Sequence, residues 1–93
     1  MKLVKIVSAN DGVHKFKAVF DNEGRSRTTK FGAIGYTDYT MSGDKEKRLH
    51  YRERHQKDLK GDPTRAGYLS YYILWNLPTI TASVADYKRR FNL

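Results

Sequence analysis

Residues 14–31 read HKFKAVFDNEGRSRTTKF, and this stretch decides the fold. In its first seven residues, His14, Phe16, Ala18 and Phe20 alternate with lysine and valine, the period-two pattern of a strand with one buried face. The next four residues, 21–24, are turn formers. Residues 25–31 are polar and rich in threonine, which is typical of a strand beside solvent. The stretch therefore predicts a β-hairpin.

Working outward toward the N-terminus, a third strand precedes this hairpin. Residues 3–7 are apolar apart from Lys5, and Asn10-Asp11-Gly12 supplies a turn before the next strand. Three short strands joined by short turns pair most simply as an antiparallel meander. Residues 1–31 are therefore predicted to form a small three-stranded antiparallel sheet.

Residues 32–43 form the least regular segment and are interpreted as a Gly/Tyr linker. Gly32 and Gly35 permit backbone angles that other residues avoid. Tyr36 and Tyr39 are predicted to anchor this linker onto the helical part of the chain.

Residues 44–93 have the spacing of helices. Asp44 is predicted to cap a helix that runs to about Lys57. A second helix is predicted to begin with Asp62 as its cap and Pro63 in its first position. Thr79 is predicted to cap a third, in which apolar side chains recur every three or four residues. The sequence thus predicts one α+β domain over residues 1–93, a three-stranded antiparallel sheet followed by two or three helices.

The composition favours a folded, basic domain. Eighteen Lys and Arg stand against ten Asp and Glu, for a formal charge of +8, and such a field attracts anionic partners such as nucleic acid. Twelve aromatic residues supply packing area that disordered chains usually lack. There is no cysteine, which excludes disulfides and thiolate chemistry.

A cytosolic, soluble protein is the expectation. Residues 1–7 form too short an apolar run for a signal peptide, and Lys5 interrupts it. No stretch approaches the roughly 18 apolar residues of a membrane span.

Catalytic motifs are not found in this sequence. No serine has a nucleophile-elbow or triad-like context. His50 and His55 are five residues apart, whereas the zinc-binding helix motif needs a spacing of four. No glycine-rich phosphate loop is present either. We therefore expect no enzyme activity, no metal site and no cofactor.

Basic residues are the candidates for binding nucleic acid or another polyanion. They lie on the predicted strands, on the basic helix of residues 45–60 and in the cluster at residues 88–90. The alternative is a solvated helix face, which the acidic residues of 45–60 favour. The candidate residues are Lys15, Lys17, Arg25, Arg27, Lys30, Arg48, Arg52, Arg54, Lys88, Arg89 and Arg90.

Residues 67–77 are aromatic on almost every side of the predicted second helix. Core packing explains one face of this helix. A domain of 93 residues cannot easily bury all of these rings. Tyr68, Tyr71 and Trp75 are therefore the candidates for a protein contact face.

Residues 30–93 contain a set of linked short motifs. They are Lys30-Phe31-Gly32-Ala33, Gly35-Tyr36, Asp38-Tyr39-Thr40, Arg54-His55, Asp62-Pro63, Ala66-Gly67, Leu69-Ser70, Ile73-Leu74-Trp75-Asn76, Pro78-Thr79, Ala82-Ser83 and Asp86-Tyr87-Lys88-Arg89-Arg90-Phe91. As a set, these motifs resemble a family of small basic proteins of unknown function encoded by nucleocytoplasmic large DNA viruses, the giant viruses. Two segments depart from the commoner forms of this pattern, Ser42-Gly43 and Thr64-Arg65.

The resemblance implies a viral context and transfers no catalytic or ligand residue. The leading hypothesis is a non-enzymatic structural or accessory protein of the virion, of minor capsid or core type, with viral capsid or core proteins as partners. It would act in the virion or in the infected cell, in the cytoplasm, the viral factory or the nucleus. The alternative is a DNA- or RNA-binding protein without sequence specificity, for genome compaction or regulation. An enzyme of nucleic-acid processing is a third alternative, and homo-oligomerisation stays open.

Overall fold

The structure is a computed structural model and describes all residues from Met1 to Leu93. Its sheet has the predicted topology: β1 (Lys2–Ser8), β2 (His14–Asn22) and β3 (Arg25–Ala33) pair antiparallel in the order β1-β2-β3. Glu23 and Gly24 both have positive φ, 53° and 85°. These angles match the two-residue hairpin turn whose twist suits antiparallel strands.

A β-bulge interrupts the pairing of β1 with β2 between Leu3 and Lys5. Leu3 pairs with Phe20, whereas Lys5 pairs with Val19. β1 therefore contains one more residue than the part of β2 that it pairs with. The in–out alternation of its side chains shifts by one residue across the bulge.

Helices follow the sheet, which confirms the predicted α+β class. Asp44 accepts hydrogen bonds from the amides of Glu46 and Lys47 at 3.1 Å, and Thr79 accepts one from Ala82 at 3.2 Å, so both predicted caps are confirmed. The helices are α1 (Tyr39–Ser42), α2 (Lys45–His55) with a 3₁₀ turn (Gln56–Asp58), α3 (Ala66–Leu69) continuing into a π-helical segment (Ser70–Leu74), and α4 (Ile80–Phe91).

The start of the second predicted helix is wrong. The helix begins at Ala66, after a turn in which the Asp62 carboxylate accepts from the amide of Thr64 at 2.9 Å and from its hydroxyl at 2.6 Å. The hydroxyl hydrogen bond is the main reason why the pKa of Asp62 lies below its usual value. An aspartate side chain that satisfies the backbone locally favours a turn over a helix.

The predicted linker is more ordered than its composition indicates. Gly32 and Ala33 belong to β3, and the Asp38 carboxylate caps α1 by accepting from the amide of Thr40 at 2.9 Å. Tyr39 is buried as predicted, but Tyr36 is 73% exposed, so the prediction that Tyr36 anchors the linker is wrong.

The core lies between one face of the sheet and the helices. The hydroxyl of the fully buried Tyr87 finds a partner within this layer, because it donates to the carbonyl of Pro63 at 2.8 Å. The other face of the sheet has no such layer. The buried apolar cluster consists of Leu3, Ala18, Phe20, Phe31, Leu69, Ile73, Leu74 and Tyr87.

Candidate polyanion-binding surface

The uncovered face of the sheet collects lysines from all three strands. Directly paired residues of antiparallel strands share a face, so the register defines its rows. We call this surface the lysine face. Its three rows across the sheet are Val7–Lys17–Lys30, Lys5–Val19–Thr28 and Lys2–Asp21–Ser26.

The charges of the lysine face are poorly neutralised. Lys5 and Lys17 have no carboxylate within ion-pair distance, and the Nζ of Lys30 lies 3.4 Å from Asp11. The Asp11 carboxylate is already occupied, since it accepts from the amide and the ring of His14 at 2.7 and 2.8 Å. Those hydrogen bonds, led by the one from the His14 amide, hold the pKa of Asp11 well below its usual value. Asp21, at the hairpin end, accepts from the amide of Gly24 at 3.0 Å.

The five candidate cations of the predicted strands do not share one surface. Arg27 pairs with Phe20 in the register and so lies on the helix-facing side, where its guanidinium contacts Asp62 at 3.0 Å. Arg25 is two residues before Arg27 in β3 and therefore lies on the same, helix-facing side. Lys15 is only 13% exposed and is held by Asp38 at 2.7 Å. Lys15 is two residues from Lys17 in β2 and so lies on the same side of the sheet, but Asp38 occupies its charge. Of the five predicted strand residues, only Lys17 and Lys30 therefore offer an available ammonium group on the lysine face.

Arg48 and Arg52 of α2 do not extend into solvent. The Nε of Arg48 donates to the carbonyl of Asn76 at 2.6 Å, and Arg52 donates to the carbonyl of Trp75 at 3.0 Å. The Arg52 guanidinium also stacks 4.1 Å from the centre of the Tyr71 ring, and burial lowers its pKa. Both arginines thus fix α2 to the end of the π-helical segment, and the prediction that they offer their charge to a polyanion needs correction. Arg54 is exposed and unpaired.

The cations of residues 88–90 are also partly engaged. Arg89 and Arg90 contact Asp86 at 2.8 and 3.4 Å, while Lys88 is exposed and unpaired. Asp86 is only 8% exposed and accepts from the amide of Asn76 at 2.7 Å. Burial opposes its ionisation, but the hydrogen bond from Asn76 and the charge of Arg90 bring its pKa below the usual value. Asp86 therefore does not lie on the solvent-exposed face of α4.

The predicted aromatic contact face is not formed. Tyr71 is 7% exposed and lies beneath Arg52. Tyr68 packs edge-on against Phe91 of α4 at 5.6 Å. Trp75 lies parallel to Tyr51 of α2, with ring centres 4.5 Å apart. The three predicted residues are used for packing between different helices, because the π-helical segment is surrounded by α2 and α4.

Lys2 and Lys5 were missed by the sequence reasoning. A spacing of three places two residues of a regular strand on opposite faces. The bulge restores both to one face, since Lys2 pairs with Asp21 and Lys5 with Val19, two residues apart on β2. Only knowledge of the register reveals this, although the two lysines are visible in the sequence.

No three His, Asp or Glu side chains lie close enough together to hold a metal ion. No helix combines the length and the apolar character that crossing a bilayer requires. Neither finding bears on catalysis, and the expectation of a non-enzymatic protein stays a prediction.

The fold and this surface define a small α+β domain with one face of its sheet covered by helices and the other lined with lysines. A family model described as a family of unknown function (DUF5754) matches residues 4–55, or 52 of the 93 residues. The chain belongs to this family. The matched region contains β2, β3, α1, α2 and all of β1 except its first two residues. The curated proteins and the solved structures give no match. The family description names no virus, partner or ligand, so the viral context stays a prediction.

Proposed function

We propose that this protein is a non-enzymatic binding protein that contacts the phosphate backbone of nucleic acid through the lysine face. The observation that carries the proposal is the placement of Lys2, Lys5, Lys17 and Lys30 on one uncovered sheet face. Burying the other face in the core leaves these ammonium groups as the main feature that the sheet presents to solvent.

Phosphate contact suits the chemistry of this surface. Lysine is a compact, fully charged donor that binds phosphate oxygens as a point charge. The hydroxyls of Ser26 and Thr28 lie on the same face and supply neutral donors to the backbone. Asp21 is the one carboxylate in the rows, and it lies at the hairpin end. The field over the rest of the face is therefore positive.

Recognition through such a surface should not depend on sequence. Phosphate contacts position a protein on nucleic acid but carry no base information. The lysine face has none of the arginine, asparagine or glutamine side chains that read base edges in pairs of hydrogen bonds. We therefore expect binding that is salt-dependent and similar on unrelated sequences.

Neutralising Lys5 and Lys17 together tests this function. Both are unpaired, so Lys5→Gln with Lys17→Gln removes two charges and leaves the fold intact. Each phosphate contact on duplex DNA contributes about 0.9 to the slope of log affinity against log salt. Titrations of two unrelated duplexes at several salt concentrations should give a slope that is shallower by about 1.8 than that of the unmodified protein.

The matched control is Lys45→Gln with Lys57→Gln. Both residues are exposed and lie outside the sheet, at α2 and the turn after it, so the net charge changes equally. This variant should keep the slope of the unmodified protein. If the slope became shallower by the same amount in both double variants, binding would follow net charge alone. That result would refute the proposal that the lysine face binds the phosphate backbone.

A second candidate function, a structural or accessory role in a virion, is favoured by exposed apolar side chains beyond β3. Ile34 and Met41 are 53% and 65% exposed, and both line one cleft with the exposed Tyr36. Clustered exposed apolar groups are typical of protein contacts. Under the resemblance described above, the partners would be viral capsid or core proteins.

Mass spectrometry of purified particles tests this second candidate. If the protein assembles into particles, it should be found in them, and Ile34→Ser with Met41→Gln should deplete it while leaving nucleic-acid binding unchanged. Its absence from purified particles, with the protein abundant in the infected cell, would refute the structural role.

A further inference from the structure

A cleft separates the outer edge of β3 from α2 and the π-helical segment. It has a volume of about 610 Å³. Its lining includes both aromatic and cationic side chains: Lys30, Tyr36, Tyr51, Arg54, His55 and Trp75. We refer to it as the Trp75 cleft.

The aromatic rings of the Trp75 cleft are held in place by one another. Tyr51 lies parallel to Trp75 at 4.5 Å and stacks on His55 at 4.1 Å. Burial is the main reason why the pKa of Tyr51 is raised. Tyr36, also in the lining, is largely exposed and makes no ring contact. The lining thus combines stacked aromatic rings with one aromatic side chain that is free.

The charges of the Trp75 cleft favour an anionic ligand. Lys30 on β3 and the unpaired Arg54 on α2 both belong to its lining. The one carboxylate in the lining, Asp38, is neutralised by Lys15 at 2.7 Å. Lys30 belongs to the lysine face as well, so the cleft continues the surface proposed above for the phosphate backbone.

Aromatic rings together with cations in a groove are the combination with which proteins hold unpaired bases. We propose that the Trp75 cleft takes the unpaired bases of single-stranded nucleic acid, with their phosphates on Lys30 and Arg54. This inference rests on the proposed function and adds to it a preference for single-stranded over duplex nucleic acid. A base inside a duplex is stacked between its neighbours and is not available to the cleft.

The fluorescence of Trp75 can test this proposal, because Trp75 is the only tryptophan in the chain. A labelled twelve-nucleotide oligo-dT and a duplex of twelve base pairs are titrated separately, with anisotropy measuring total binding and tryptophan emission measuring the cleft. Stacking of a base on an aromatic ring is expected to make single-strand binding about tenfold tighter. Only the single strand should change the emission of Trp75.

Two substitutions should remove the preference and leave the fold intact. Tyr36→Ser and Arg54→Gln change exposed side chains without hydrogen-bond partners. We expect their combination to bring single-strand affinity down to that of the duplex, whereas the control Lys45→Gln should keep the difference. The affinity for the duplex should be the same in the unmodified protein, the double variant and the control.

The failures of the two proposals can be told apart. Salt-dependent binding to both nucleic acids with equal affinity and unchanged Trp75 emission would overturn the cleft and leave the lysine face intact. Binding to neither would overturn both. A tenfold preference that survives Tyr36→Ser with Arg54→Gln would show that the single strand is held elsewhere.

Discussion

Arg52→Ala is expected to lower the free energy of unfolding by about 2–4 kcal/mol. The Arg52 guanidinium donates to the carbonyls of Tyr71 and Trp75 at 3.4 and 3.0 Å and covers the Tyr71 ring. Charge-assisted hydrogen bonds are worth more than neutral ones, and a cation stabilises the C-terminal carbonyls of a helical segment. In a domain of this size the loss corresponds to a fall of about 10–25 °C in the midpoint of thermal unfolding.

A lysine at the same position separates charge from geometry. Arg52→Lys keeps the cation but cannot cover the Tyr71 ring and donate to two carbonyls together, so we expect it to recover less than half of the loss. Arg54→Ala is the control, because Arg54 is exposed and bonds to nothing. Thermal unfolding followed by circular dichroism measures all three. Equal midpoints for Arg52→Ala and Arg54→Ala would show that the contacts of Arg52 do not stabilise the domain.

Asp86→Ala should have an effect of similar size, about 2–4 kcal/mol. The carboxylate is buried and joins the amide of Asn76 to the guanidinium groups of Arg89 and Arg90. Truncation leaves the buried Asn76 amide without its acceptor, and an unsatisfied buried polar group is costly. Glu53→Gln, on an exposed and unpaired acid of α2, is the control and should leave the unfolding midpoint unchanged.

The contribution of Asp86 also depends on pH. Its pKa in the folded protein lies below the usual 3.8, so the folded state favours the charged carboxylate. This stabilisation is complete above the unfolded pKa and is lost as the pH falls through the folded pKa. The difference in unfolding midpoint between the unmodified protein and Asp86→Asn should therefore be constant near neutral pH and shrink below about pH 4. A difference that stays constant to pH 2 would show that the ionisation of Asp86 is not linked to folding.

The order of the elements was predictable because it depends on local patterns. The alternation around Phe16 and Phe20 and the turn at residues 21–24 define the hairpin without any distant contact. Asp44 and Thr79 cap their helices through hydrogen bonds to residues two or three positions away. Asp62 failed as a helix cap, since the same side chain can equally close a turn with Thr64.

The surface was much less predictable, because the availability of a charge depends on distant partners. Arg48 and Arg52 resemble any basic residues of a solvated helix, yet the carbonyls that bind them lie 19 to 28 residues away. Tyr71 was assigned to a contact face, although Arg52 covers it. Lys5 was omitted, because a bulge in β1 determines its face. Each error has one cause: hydrophobic periodicity does not encode register or tertiary hydrogen bonds.

A titration followed by amide NMR locates the surface on which this protein binds nucleic acid. A twelve-base-pair duplex is added to the ¹⁵N-labelled protein at low salt. If the lysine face is that surface, the largest shift changes should occur at Lys5, Lys17, Thr28 and Lys30, and added salt should reverse them. Shift changes confined to α4, or none at a duplex concentration that saturates other basic domains, would contradict the proposal that the lysine face binds nucleic acid.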